Sequence, residues 1–135
     1  MVDKMGKELK GNTILDKFFE AELVGALGED TKDYVIPSGE KWYILSFGAG
    51  ALVKAEVEFL FSADGGETWL NPFDGTNDVL RCVFVSEESP TNDVPLDNPM
   101  VFEGDGENTI IRMKVKNLDT STASEIVGWF NGWIE

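Results

Sequence analysis

The residue types that carry most enzyme chemistry are scarce in this chain. Its 135 residues include no histidine and a single cysteine, Cys82. Histidine is the commonest general base and zinc ligand, so its absence removes the usual catalytic triads and zinc sites. Cys82 lies in an apolar run and has no second cysteine to pair with, which predicts a buried and unreactive thiol.

Carboxylates are numerous enough to support chemistry on their own. A glycosidase needs only a pair of acids flanking a sugar, and this chain has 25 acidic residues. So many acids on a small surface bring pairs together by chance, and the sequence shows no set with convergent roles. We therefore predict a protein that is not an enzyme and that uses no cofactor.

Two acidic loops space oxygen atoms in the manner of calcium loops. They lie at residues 74–78 and 103–108. Neither has the spacing of an EF-hand loop, which ends in a bidentate glutamate. Turn chemistry explains both loops without an ion. The prediction is therefore no metal site, with calcium binding as the alternative.

A turn sequence at residues 62–69, Ser-Ala-Asp-Gly-Gly-Glu-Thr-Trp, resembles the Asp-box hairpin of sialidase propellers and of many unrelated β proteins. The resemblance implies that Ser62, Asp64, Gly66 and Thr68 lock the turn, with Trp69 packed beneath it. The pattern occurs once, and a chain of this length cannot form several propeller blades. The resemblance therefore implies a hairpin and not a glycosidase.

Aromatic residues offer a further possible site. They could form a sugar-stacking platform or pack in the core; the candidates are Trp42, Trp69, Trp129, Trp133, Tyr34 and Tyr43. Trp129 and Trp133 are four residues apart in a strand-like stretch, so they share a face with Asn131. An aromatic strand face suits a contact between subunits. We predict Trp129 and Trp133 as partner contacts, with glycan stacking as the alternative.

The elements that position these residues are predicted to be β-strands. Residues 53–61 alternate between apolar and charged side chains, the pattern of a strand with one buried face. Other strands are predicted at 18–26, 34–36, 41–47, 79–85, 100–102, 109–116 and 125–134. In the 41–47 strand, Trp42 and Ile44 should face away from Tyr43, Leu45 and Phe47. Residues 28–33 and 86–99 are predicted as surface loops, the second as a contact region.

This spacing of strands and turns is typical of an all-β, antiparallel β-sandwich, jelly-roll-like, with about eight strands. We predict that residues 13–135 form this single domain and that residues 1–12 form a flexible N-terminal arm. The net charge of −14 argues against nucleic acid as a partner. No apolar run approaches the ~20 residues that span a bilayer, so no membrane contact is expected. The arm carries Lys4, Lys7 and Lys10, which we predict as further partner contacts.

Three stretches, at residues 34–44, 102–112 and 128–133, resemble those of the small jelly-roll accessory proteins of tailed bacteriophages. Such proteins decorate capsids or sit on fibres and tail tips. The resemblance implies a non-enzymatic structural protein located in the virion, commonly a homotrimer, whose arm reaches the capsid, another virion protein or a neighbouring subunit. A carbohydrate-binding or receptor-binding β-sandwich module, which would contact a surface glycan, is the alternative.

Overall fold

The computed structural model describes residues 13–70, 81–86 and 89–135, and for Arg81 and Cys82 it describes the backbone only. Eight strands occur in these ranges, and no helix does. They are β1 (Thr13–Val24), β2 (Glu29–Val35), β3 (Lys41–Ala51), β4 (Ala55–Ser62), β5 (Arg81–Val85), β6 (Thr91–Glu103), β7 (Ile110–Asn117) and β8 (Ser124–Ile134). The all-β prediction is confirmed.

The strands form two antiparallel four-stranded sheets, in the orders β1-β8-β3-β6 and β2-β7-β4-β5. One apolar core lies between them, built from the inward side chains of both sheets. Its centre is aromatic: the Phe47 and Phe59 rings, from opposite sheets, are 4.4 Å apart, and Phe130 contacts Phe47, Trp42 and Tyr34. The predicted antiparallel β-sandwich is confirmed.

The first two strands differ from their predicted bounds. β1 begins at Thr13, five positions before the predicted start at residue 18, and ends at Val24. The polar loop predicted at residues 28–33 is wrong, because most of it belongs to β2. β2 is an edge strand in which every residue except Tyr34 is exposed, so it lacks the apolar alternation by which strands are recognised.

The long loop predicted at residues 86–99 is also wrong. Most of it belongs to β6, which pairs with β3 from Thr91 onwards. Proline donates no backbone hydrogen bond, yet Pro95 and Pro99 are tolerated because β6 lies at the edge of its sheet. The turn-forming residues therefore mark a protected edge strand, not a loop.

A β-bulge changes the predicted faces of β3. The pairing with β6 and β8 shifts between Ile44 and Ser46. Beyond the shift, Phe47 is buried in the core with Trp42 and Ile44, whereas the alternation had placed it on the opposite face. One inserted residue, Leu45, reverses the faces of all that follows.

Candidate functional site

The turn after β4 is held by side-chain hydrogen bonds. The hydroxyl of Ser62 donates to Asp64 Oδ1 (2.8 Å), and the backbone N–H of Gly66 donates to Ser62 Oγ (2.9 Å). Asp64 Oδ1 also accepts the backbone N–H groups of Glu67 (3.0 Å) and Thr68 (2.9 Å). Gly66 has φ +98°, a backbone conformation in which a residue with a side chain would be strained. Hydrogen bonds from Thr68 and Ser62 lower the pKa of Asp64 to about 2.

Trp69 lies against this turn. A β-carbon at Gly66 would lie 3.4 Å from its ring, and the guanidinium of Arg112 stands 4.0 Å from the ring centre. Arg112 also binds Asp33 with two hydrogen bonds, one of them 2.9 Å long from Nη2. Phe61 and Leu70 form a β-bridge with two backbone hydrogen bonds, which closes the hairpin within the described residues. The turn residues thus serve the packing of one end of the sandwich.

The β6–β7 turn is built in the same way and touches the first. Asp105 Oδ1 accepts the backbone N–H groups of Glu107, Asn108 and Thr109, which lower its pKa to about 2. The backbone N–H of Gly65 donates to the Asn108 carbonyl (3.0 Å). In the described ranges, no three acidic, cysteine or histidine side chains gather closely enough to hold a metal ion. The 74–78 loop lies outside the described residues.

The outer surface of the β1-β8-β3-β6 sheet brings together side chains that sequence reasoning could not associate. Strand register places three outward rows across it: Phe18, Trp129, Gly48 and Asp93; then Asp16, Asn131, Ser46 and Pro95; then Ile14, Trp133, Tyr43 and Val101. We call this surface the aromatic face. Its exposed apolar members include Ile14 (81% exposed) and Phe18 (55%). Trp129 and Trp133 both lie on it, as predicted for a shared face.

Trp129 is fixed in place across the sheet. Its indole lies against the backbone of Gly48 on β3, where a β-carbon would overlap the ring. Its Nε1 donates to Asp93 Oδ1 on β6 (3.0 Å), and on the other side it stacks on Phe18 of β1 (centroids 6.1 Å apart, planes 15° apart). One indole therefore contacts all four strands of the sheet.

Trp133 forms the second aromatic pair. Its ring stacks on Tyr43 with centroids 4.9 Å apart and planes 11° apart. The Tyr43 hydroxyl donates to Glu135 Oε1 (2.7 Å), and this hydrogen bond raises the pKa of Tyr43. Trp129 Nε1 and the Tyr43 hydroxyl are both hydrogen-bonded within the protein, so these two side chains are held in place and the pairs expose mainly carbon atoms.

Carboxylates surround the aromatic pairs. Asp16 and Glu20 of β1 and Glu125 of β8 are exposed on the outward side of the sheet. Within the described part of the chain, none of the three forms an ion pair with a basic group. Between the pairs, the Ser46 hydroxyl donates to Asn131 Oδ1 (2.7 Å). The aromatic face therefore has two rows with aromatic pairs, a polar row between them, and exposed carboxylates within and beside these rows.

The outer surface of the opposite sheet has the reverse character. Basic side chains of β7 lie between acidic side chains of β2 and β4. The ion pairs are Arg112–Asp33, Lys114–Glu29 (3.8 Å) and Lys116–Glu58 (3.3 Å). The three basic side chains of β7 are therefore paired within the fold, whereas Asp16, Glu20 and Glu125 on the other sheet form no ion pair within the described residues.

The geometry of the acids also bears on the predicted absence of catalysis. An open depression at one end of the sandwich is lined by Glu40, Lys41, Glu103, Asp105 and Glu135. Each side chain has a structural partner: Glu40 accepts from Trp42, Lys41 pairs with Glu103, and Glu135 accepts from Tyr43. The acids thus hold neighbouring side chains, and the non-enzymatic role remains a prediction.

Of the other residues predicted to be functional, some lie outside the described residues and some lie in the core. Lys4, Lys7 and Lys10 lie outside the described residues, as does the side chain of Cys82. Trp42 is a core residue, 2% exposed. Phe18 and Gly48 were missed, and Tyr43 was named only as a possible stacking residue, because only strand register connects these three residues to Trp129 and Trp133. The alternation of β1 places Phe18 outward, but the bulge in β3 breaks the alternation that would relate Tyr43 to Gly48.

No helix of the described residues has the length and apolar character needed to span a membrane. The sequence matches no protein-family model and is not significantly similar to any curated protein.

Proposed function

We propose that this chain is a non-enzymatic structural protein of a viral particle, which it decorates or stabilises as a homo-oligomer, with a trimer favoured. A jelly-roll fold is part of the proposal. The strand order supports it, because β1 lies beside β8 and the eight strands divide into two sheets of four. Jelly rolls have this number of strands and sheets and occur in viral capsid proteins and in lectins.

The contrast between the two outer surfaces carries the proposal. One surface is a ladder of ion pairs, and the other exposes two aromatic pairs with Ile14 and Val101. Rigid aromatic side chains are enriched at protein interfaces, and contiguous exposed apolar surface marks interaction sites. A protein that works by contact needs one such surface and no catalytic cleft.

The overall charge is consistent with this role. A chain with net charge −14 repels other copies at long range, so only a specific contact holds copies together. The same repulsion keeps decorated particles apart. The net charge thus supports assembly through a defined surface rather than nonspecific association.

Two phenylalanines provide a matched test. Phe18 lies on the aromatic face and Phe84 on the opposite outer surface, and they are 55% and 57% exposed. Size-exclusion chromatography with light scattering should detect an oligomer for the full chain, weakened in Phe18→Ala and unchanged in Phe84→Ala. Mass spectrometry should detect the chain in particles of the virus that encodes it. A monomer at all concentrations that is absent from particles would contradict the proposal.

A carbohydrate-binding module is the second candidate. The observation that favours it is the polar row of Asp16, Asn131 and Ser46 between the two aromatic pairs, since sugars need stacking surfaces and hydrogen-bonding groups together. Glycan-array binding that disappears in Trp129→Ala and persists in Phe84→Ala would favour this candidate. The absence of binding to any glycan would remove it.

A further inference from the structure

We infer that the aromatic face binds the basic N-terminal segment, residues 1–12, of a neighbouring copy of the chain. Because such binding joins two copies, it rests on the self-assembly proposed above and names the partner of that surface. The segment contains Lys4, Lys7 and Lys10 against two acidic residues, in a chain that is otherwise strongly acidic.

Charge complementarity is the first reason. Exposed carboxylates of Asp16, Glu20 and Glu125 lie around aromatic rings that have no cation over them among the described residues. Lysine suits this combination, because its alkyl stem covers apolar rings while its ammonium group reaches carboxylates or a ring face. An acidic ligand would meet only repulsion there.

The size of the aromatic face is the second reason. Four strands at about 4.8 Å spacing give a width of roughly 19 Å, and Trp129 and Trp133 are about 13 Å apart along β8. This area is a few hundred Å², well below the roughly 800 Å² per partner of a standard interface. Two copies packed face to face would also oppose their own Asp16, Glu20 and Glu125 groups. An extended basic segment fits where a second sandwich does not.

The position and reach of the segment are the third reason. β1 begins at Thr13, and β1 is the edge strand that contributes Ile14 and Phe18 to the aromatic face. Twelve residues extend up to roughly 40 Å, about twice the width of the sheet. Thr13 lies at the end of β1, beyond the row that contains Ile14, so a segment that precedes it would have to reverse direction to cover its own sheet. The face of a neighbouring copy requires no such reversal, and this favours the neighbour as the binding site.

Charge reversal in the full-length chain tests this assignment. Lys4→Glu with Lys7→Glu should raise the dissociation constant of the oligomer at least tenfold, which corresponds to roughly 1.4 kcal/mol. The control, Lys32→Glu with Lys54→Glu, changes the net charge equally at exposed positions and should leave the constant unchanged. Adding Asp16→Lys and Glu20→Lys to the first variant should restore assembly, which a general charge effect would not do.

Complementation identifies the source of the segment. A chain with the two N-terminal reversals keeps an intact face, and Phe18→Ala keeps an intact segment. Mixing them should form a hetero-oligomer if the segment comes from a neighbour. Failure of the two variants to form a hetero-oligomer when mixed would overturn the inference, because the segment would then not bind the face of a neighbouring copy.

The two proposals fail separately. If Lys4→Glu with Lys7→Glu assembles like the unmodified chain while Phe18→Ala does not, the inference is overturned and the structural role stands with another contact on the face. If the unmodified chain is a monomer absent from particles, the structural role fails and the inference fails with it.

Discussion

Substitution of Gly48 by alanine removes Trp129 from the aromatic face without altering any other side chain. The α-carbon of Gly48 lies under the indole, and a β-carbon there would overlap the ring. The opposing atoms belong to an indole held on both sides, by Asp93 and by Phe18, so the ring cannot shift slightly and keep both contacts. We expect the indole to leave its position.

The cost follows from the contacts that are lost. A hydrogen bond to a carboxylate at an exposed position contributes about 1 kcal/mol, less than its buried equivalent. The stack on Phe18 contributes about 0.5 to 1.5 kcal/mol. Alanine in a strand recovers about 0.5 to 1 kcal/mol relative to glycine. The net loss of unfolding free energy is about 0.5 to 2 kcal/mol.

Urea denaturation at a fixed protein concentration measures this loss. At an m-value of about 2 kcal/mol/M, the midpoint should fall by roughly 0.25 to 1 M. Gly50→Ala is the matched control on the same strand and the same outward side. Its β-carbon would meet only ordinary contacts, at 3.6 Å from the Pro90 carbonyl oxygen and 3.7 Å from the Trp129 ring, so it should be neutral or slightly stabilising.

A double-mutant cycle isolates the indole as the cause. In a Trp129→Ala background, Gly48→Ala has no ring to displace and should become neutral or stabilising. An equal loss of stability in both backgrounds would refute the reasoning, because the cost would then arise in the strand backbone and not from the ring. The near-ultraviolet circular dichroism spectrum should change for Gly48→Ala and should not change for the control, Gly50→Ala.

Three further predictions concern the fold. The pKa values of Asp64 and Asp105 are lowered to about 2 in the folded chain. Their stabilising contribution is therefore complete above the ordinary carboxyl pKa of 3.8 and is lost as the pH falls towards 2. Asp64→Asn should make the free energy of unfolding less dependent on pH in that window, as measured by urea denaturation at a series of pH values. Asn117→Ala should cost about 1 to 3 kcal/mol, because it leaves the buried carbonyl of Val24 without its partner and removes a part-buried hydrogen bond to the Thr122 carbonyl, and the urea midpoint checks it. Phe130→Ala should cost about 3 to 5 kcal/mol in the same assay, whereas a loss under 1 would contradict its central place in the core.

Strands with one buried face could be predicted from the sequence, and those without one could not. β7 alternates between buried and half-buried residues, and β4 alternates apolar with acidic residues from Ala55 to Phe59, so the apolar period identified both strands. β2 is exposed on nearly every residue, and β6 contains two prolines. Both lie at sheet edges, where the partner strand decides the structure and local propensity does not. Which strands lie at the edge of a sheet depends on the order of the strands, and the residue pattern of one strand does not encode that order.

The candidate site was predictable only along one strand. Spacing alone placed Trp129 and Trp133 on a common face, since residues four apart in a strand point the same way. Their contacts with Phe18 and Tyr43 depend on the registers of β8 with β1 and β3. The β3 bulge sets the second register, and no turn or composition signal marks it. The pairing of Trp129 with Phe18 and of Trp133 with Tyr43 therefore could not be predicted from the spacing of residues along single strands.

The acidic composition and the aromatic face act against each other, and this opposition constrains how copies can meet. A uniformly acidic surface would prevent the aromatic pairs from touching another copy, because desolvated carboxylates would face one another. A uniformly apolar surface would aggregate. In the proposed assembly, the basic residues that precede Thr13 in the sequence would let copies approach only with one segment over one face. Specificity would then come from charge, and the stacked rings would supply the contact area.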